Sequence, residues 1–200
     1  RNLPITPEEK QVIAHHEAGH AVTSWFMRFT DPLLKISIVP RGKALGYAQY
    51  MPQERYIRTY DHLIDFIAQA LGGRVAEKLI FGHWSTGAQD DLQKVTRIAY
   101  AAVSSFGMSK EVGPVSFPIP GDPSISVQKP YSEETAEKID QEVKKIIQDA
   151  YSRTENLLKE KREILENVAK YLIEHEVMGV EEFATIVGPR PWKDQEVEEE

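Results

Sequence analysis

The sequence predicts a mainly α-helical (α+β) domain with a small antiparallel β-hairpin and long C-terminal helices, and three observations predict it. Capping signals precede long apolar-periodic stretches at Thr6, Thr86 and Ser132. Residues 34–39 and 44–50 form a pair of short segments with the period-two look of strands. From Ser132 to about residue 186 the apolar spacing is helical almost throughout.

The first helix opens at Thr6-Pro7-Glu8-Glu9, a capping box with Thr6 at the N-cap, Pro7 at the first helical position and Glu9 at the third. It should run to about Met27. Leu34-Lys35-Ile36-Ser37-Ile38-Val39 then alternates as a strand, and Pro40-Arg41-Gly42-Lys43 turns the chain into its partner, residues 44–50. Gly46 inside that partner marks a bulge or a place where another backbone comes close. A second helix spans residues 59–81, with Leu63, Ile67, Ala70 and Leu71 on one face, and stops at Gly82. Gly72-Gly73 in its interior costs on the order of 1 kcal/mol per residue against Ala, so a neighbour is expected to pack very close there.

Thr86 and Gln89 form a second capping box, opening a third helix through Val95, Ile98, Ala102 and Val103 that Gly107 ends. Residues 107–131 hold five prolines and no periodicity, a length of connection that is usually a functional lid or disordered. Ser132 caps a long amphipathic helix carrying Ile139, Val143, Ile146, Ile147, Ala150 and Tyr151. After a break it continues into residues 164–173, and a last short helix, residues 180–186, ends at Gly188-Pro189. The core-bearing unit is therefore expected over 1–190, with 132–188 as its C-terminal helical part and 191–200 as an acidic tail.

Composition narrows the function classes. With 41% apolar and 28% charged residues, the chain is long enough for a core of its own. No run of 18 apolar residues exists, so a membrane could be met only through segments outside this sequence, and the start at Arg1 suggests an excised module. The absence of cysteine excludes disulfides, thiolate zinc sites and Cys-nucleophile chemistry. A net charge of −7 argues against a nucleic-acid partner. No glycine-rich phosphate loop is present, since Gly42-Lys43 lacks both the upstream glycine and the hydroxyl residue that follows in that motif.

One string points to a chemistry. His16-Glu17-Ala18-Gly19-His20 is H-E-x-x-H inside the first helix. Residues four apart share a helix face, so His16 and His20 can aim imidazole nitrogens at one metal ion while Glu17, one residue round, takes a proton from water on that metal. Coincidence would produce the string in at most roughly three per cent of shuffled chains of this composition. A catalytic zinc needs three protein ligands and an open position. The metzincin extension is excluded, because Thr23 and Phe26 stand where Gly and His would be required. Glu77, Asp90 and Asp91 remain as candidates for the third ligand. Each has a bland alternative: Glu77 as an exposed helix residue, the aspartates as first-turn charges complementing a helix dipole.

Further strings carry a resemblance. Taken with the H-E-x-x-H, Ile38-Val39-Pro40-Arg41-Gly42, Leu45-Gly46-Tyr47-Ala48-Gln49, Leu71-Gly72-Gly73-Arg74-Val75-Ala76-Glu77, Ser85-Thr86-Gly87-Ala88-Gln89-Asp90-Asp91-Leu92 and Phe106-Gly107-Met108 resemble, in order, the signatures of the peptidase domain of FtsH-type AAA zinc metalloproteases. The likeness is collinear from about residue 5 to residue 190. The form of residues 46–50 and the Gly188-Pro189-Arg190-Pro191 ending are most similar to the mitochondrial, matrix-facing paraplegin (m-AAA) group. The resemblance implies Asp91 as the third zinc ligand beside His16 and His20, Glu17 as the catalytic base, and a supporting role for Glu77. It also implies one Zn²⁺ per chain and unfolded or misassembled polypeptides as substrates. A homo- or hetero-hexameric ring would feed them in, with ATP used only by an AAA domain that this sequence does not contain. The location implied is the matrix face of the mitochondrial inner membrane, or, as the alternative, the cytoplasmic face of a bacterial inner membrane.

Residues Gly46, Tyr47, Ala48, Gln49 and Tyr50 are candidates for substrate binding, as a strand edge beside the zinc helix to which an extended peptide adds. His15 stands where the family often has Tyr. Its four-apart partner is Gly19, which favours packing over coordination. Two other classes stay in view: a catalytically silent scaffold domain of such a ring, which the intact Glu17 speaks against, and a zinc hydrolase acting on a small molecule, which would need a deep closed pocket.

Overall fold

The computed structural model describes residues 3–119, 122–123 and 129–193. Helix α1, Pro7–Phe26, begins as its cap dictates: Glu9 N–H donates to Thr6 Oγ1 (3.1 Å), and the Glu9 carboxylate accepts from Thr6 N–H (2.9 Å). A surface helix buries one stripe, whereas α1 is buried on every side from Ile13 to Trp25. It is the central rod of the domain. Two carbonyls at its C-terminal end, which no helical partner can satisfy, are met from the far end of the chain. Trp192 Nε1–H donates to Phe26 O (3.0 Å) and Arg190 to Met27 O (3.2 Å), and Arg190 also donates to Thr30 O (3.0 Å) in the turn that follows.

Helix α2, Tyr60–Phe81, is capped by Thr59 with His62 in the third position and ends at Gly82 in the left-handed conformation (φ 78°). It lies against α1 at backbone-to-backbone distance. A Cβ added to Gly19 would stand 2.3 Å from Gly72 O, and one added to Gly72 would stand 2.5 Å from Gly19 O. The glycine pair flagged by its helix cost is thus the contact surface for α1.

Strand β1, Leu33–Ser37, pairs antiparallel with β2, Tyr47–Tyr50, with Ile36 opposite Ala48 and an extra residue on β1 between Leu33 and Lys35. The expected hairpin is one strand short. β3, Val177–Gly179, pairs antiparallel with the other edge of β1, giving the order β2-β1-β3. Three residues are too few to show a period, and β3 is held by partners some 140 positions away in sequence. Gly46 lies just before β2 rather than inside it, and the irregularity of the sheet is on β1.

Helix α3, Gln89–Tyr100, follows a 3₁₀ turn, Thr86–Ala88, and continues into a π-turn, Ala101–Ser105, before Gly107 (φ 57°) ends it. The Thr86/Gln89 capping box is not formed. Ser85 is the cap, its Oγ accepting from Gly87 N–H (3.1 Å) one residue earlier than expected, and Gln89 instead begins the α-helix. Of the 107–131 connection, residues 120–121 and 124–128 lie outside the described residues, as do 194–200 of the acidic tail.

Ser132 caps α4, Glu133–Glu160, as expected. The chain breaks at Lys161, and α5, Arg162–His175, and α6, Val180–Val187, follow. The core forms where α1 meets α2 and α5 and where α2 meets α4, around Ile67, Leu71, Ile139, Leu165, Leu172 and Phe183. Among the described residues no helix is long and apolar enough to cross a membrane.

Candidate metal centre

His16 and His20 stand one turn apart on the buried middle of α1, and each ring is fixed by its inner nitrogen. His16 Nδ1 donates to Glu77 Oε2 on α2 (2.7 Å), and His20 Nδ1 donates to the carbonyl of Gln69, also on α2 (2.8 Å). A carboxylate and a carbonyl only accept, so in the neutral rings both hydrogens sit on Nδ1 and both Nε2 atoms present lone pairs. Those lone pairs converge. The two Nε2 atoms are 3.0 Å apart, and Asp91 Oδ2 lies 3.0 Å from His16 Nε2 and 3.2 Å from His20 Nε2. Zinc bonds of about 2.0–2.2 Å at tetrahedral angles put ligand atoms roughly 3.3–3.5 Å apart, so this triangle of acceptors fits one face of a tetrahedral cation site with the fourth position free.

A local force suits the third donor to its place. Asp91 is the third residue of α3, in the first turn where the positive end of the helix dipole favours a carboxylate. Burial pushes the Asp91 carboxyl up, but its bonds to His16 and His20 outweigh this and hold it well below the usual carboxylate range. Glu77 follows the same pattern: burial raises it, and the bonds from His16 and Ser85 bring it below its ordinary value. Burial pulls His16 down, and the two carboxylates overcome that pull and raise it to about 10. The cluster is thus built to hold positive charge, as a proton on His16 or as a cation shared by all three donors.

Glu17, one residue round the helix, is not one of the three converging donors. It is buried, and burial pushes its carboxyl up against the opposing pull of His20 and His16, a shift in the direction that favours proton uptake. Gly46 closes on it from the sheet side: a Cβ there would lie 3.0 Å from Glu17 Cγ, Ile13 Cγ2 and Ser37 O. The close approach of another backbone expected at Gly46 is there, to the Ser37 carbonyl of β1, and side chains of the motif helix come equally near. Residues 47–50 form β2, whose outer edge pairs with no strand among the described residues, although the Tyr50 hydroxyl is buried and only the backbone of Tyr50 belongs to that edge.

The remaining candidates separate cleanly. Asp90 is exposed. His15 packs its ring edge-on against Phe81 (5.2 Å), with Nδ1 donating to Gln11 O (2.7 Å), which is the packing role expected of it. A groove of about 1180 Å³ runs along α3 past Gln89, Leu92, Thr96 and Tyr100 and is lined by none of His16, Glu17, His20 or Asp91.

Three contributors escaped the sequence. Gln69 acts through its main chain, which no residue pattern reports. Gly73 lies beneath the His16 ring, where a Cβ would meet Nε2 at 2.4 Å; the helix cost of the Gly72-Gly73 pair signalled a close neighbour but not which one. Ser85 donates to Glu77 Oε1, and its residue type, a favoured cap, was the available signal.

With this geometry in hand, the comparisons with known proteins are specific. The model of Peptidase family M41 matches residues 3–186. The chain is 53% identical over 197 residues to the ATP-dependent zinc metalloprotease FtsH of Rhodothermus marinus, covering 97% of this chain and 28% of that protein. It is 50% identical over 196 residues to the mitochondrial inner membrane m-AAA protease component AFG3L2 of Mus musculus, covering 98% and 24%. With the component yta12 of Schizosaccharomyces pombe it shares 50% identity over 190 residues, covering 94% and 24%. The chain spans about a quarter of the length of these curated relatives.

Proposed function

The chain belongs to peptidase family M41, and from that premise we propose that it is a zinc-dependent endopeptidase domain in which His16, His20 and Asp91 hold one zinc ion and Glu17 moves the proton. The convergence of three lone-pair-bearing atoms within 3.2 Å of one another carries this reading. Zinc, when bound, polarises a peptide carbonyl and lowers the pKa of a water to about 7.

The chain's own residues do the rest. Glu17 accepts the proton of the attacking water and passes it to the leaving amine, and the burial that raises its pKa favours that uptake. Glu77 and the Gln69 carbonyl keep both imidazoles in the tautomer that presents Nε2. An extended substrate adds to the outer edge of β2 through main-chain hydrogen bonds, which makes recognition tolerant of sequence.

The relatives are ATP-dependent or inner-membrane proteases by name, and the domain is proposed to work within the same kind of assembly. That assembly is a membrane-bound homo- or hetero-hexamer whose ATPase part delivers unfolded or misassembled proteins. Near-equal identity to a bacterial and to mitochondrial relatives supports the inner-membrane setting without favouring the mitochondrial over the bacterial one. An intact base beside the histidines argues against a silent scaffold.

Zinc content and casein degradation, each with and without chelator, test the proposal. Asp91→Ala is expected to lose zinc and activity together, while Asp90→Ala keeps both. Metal lost with Glu77→Gln but kept in Asp91→Ala would move the third ligand to Glu77 and overturn the assignment.

A further inference from the structure

We propose that Ser85 is a positioning residue that ties the two arms of the metal centre together, an inference that rests on the metal-site reading above. One arm is His16, whose Nδ1–H is held by Glu77 Oε2 at 2.7 Å. The other is Asp91, carried on the first turn of α3. These arms come from helices separated by 75 residues of sequence, and their Nε2 and Oδ2 atoms must meet within a few tenths of an ångström for a shared cation.

Ser85 touches both. Its Oγ–H donates to Glu77 Oε1, the oxygen that His16 leaves free. The same Oγ accepts the N–H of Gly87 at 3.1 Å and so caps the 3₁₀ turn Thr86–Ala88, which runs directly into α3. The N-cap of α3 itself, Ala88, makes no side-chain cap bond, so the orientation of the Asp91 turn depends on the cap at Ser85.

A hydroxyl is suited to this double task because it donates once and accepts twice. An alanine does neither, and an aspartate would accept from Gly87 while setting a second negative charge against Glu77. Gly87 keeps the cap close, since a Cβ there would stand 3.3 Å from Ser85 Oγ. Glu77 is 1% exposed while Ser85 is exposed, so Ser85 holds the buried carboxylate from its solvent side, and without that fixed donor the carboxylate would turn, taking the His16 ring with it.

The test measures zinc affinity by chelator competition, the visible spectrum of the Co²⁺-loaded chain, and melting of the metal-free chain. Ser85→Ala is expected to weaken zinc binding roughly ten- to a hundredfold, the range seen when an outer partner of a ligand is removed. It should also alter the Co²⁺ spectrum, while Ser85→Thr restores affinity and spectrum. If Ser85 works through Glu77, the combination of Ser85→Ala with Glu77→Gln weakens binding less than the two single losses multiplied together. Wild-type affinity and spectrum in Ser85→Ala overturn the proposal, as do strictly additive losses. A Ser85→Ala chain whose only change is a lower melting temperature also overturns it, leaving a plain helix cap. Asp91→Ala serves as the control: full zinc affinity in that variant would strike down the metal-site reading itself, whatever Ser85 does.

Discussion

The histidine pair has two unlike sides. Towards α2 everything is closed: Gly19 and Gly72 bring two backbones into contact, Gly73 lies flat under the His16 ring, and Glu77 and Gln69 occupy the inner nitrogens. Towards β2 stands Glu17, with Gly46 against its stem and, beyond, a strand edge that pairs with no strand among the described residues. The difference separates two tasks that share one helix turn. The α2 side fixes where the donor atoms point, while the β2 side holds the carboxylate and the strand edge that the proposed function assigns to the substrate. Changes on the first side should act on metal affinity and stability, and changes on the second on turnover.

The sharpest break would come at Glu17. Glu17→Gln keeps the shape and removes the proposed base, so kcat/KM is expected to fall by roughly 10² to 10⁴ with zinc content unchanged. Zinc-loaded enzyme with near wild-type turnover would dissolve the division.

The α2 side can be probed by pH. In the metal-free chain His16 is raised from 6.5 to about 10, so its contribution to stability is fully present below about pH 6.5 and is lost as pH rises through about 10. Zinc must displace that proton. Its affinity should therefore rise about tenfold per pH unit between 7 and 10, while the melting temperature of the metal-free chain declines over the same window. Competition titrations giving a flat affinity across that window would show that His16 is not charged there.

Two glycines then sharpen the contrast. Gly73→Ala would place a methyl 2.4 Å from His16 Nε2, and with α2 already pinned at Gly72 the helix cannot back away. A loss of about 1–3 kcal/mol in stability, together with weaker zinc binding, is expected from overpacking. Gly46→Ala meets Glu17, Ile13 and Ser37 at 3.0 Å, a milder crowding. It should lower kcat while sparing zinc, and equal effects of the two variants on metal content would erase the distinction between the sides.

The smallest expected effect concerns the strand edge. A peptide substrate whose amides are N-methylated one at a time should lose affinity at alternate positions only, by about fivefold for each main-chain hydrogen bond of about 1 kcal/mol. Uniform or absent losses in KM would remove β2 from substrate binding.

What the sequence determined by itself was everything whose cause lies within one or two helical turns. Thr6, Glu9 and Pro7 start α1, Ser132 starts α4, Gly82 and Gly107 stop their helices, and the four-residue spacing of His16 and His20 puts two imidazoles on one face. The interior glycines of α2 announced a close neighbour by their local cost alone. Local patterns also misled where two caps competed. Thr86 and Gln89 matched a capping box, but it is Ser85, which also donates to Glu77 eight positions earlier, that caps.

The tertiary structure alone decided the rest, because the partners are far apart along the chain. Residue spacing left Glu77, Asp90 and Asp91 equivalent, and only resemblance favoured Asp91. The folded chain separates them, with Asp91 reaching His16 Nε2 across 75 positions, Glu77 reaching the other nitrogen of the same ring across 61, and Asp90 facing solvent. The Gln69 carbonyl that orients His20 and the three-residue strand β3 carry no residue signature, since main-chain groups are the same in every residue and find partners only once the helices have packed.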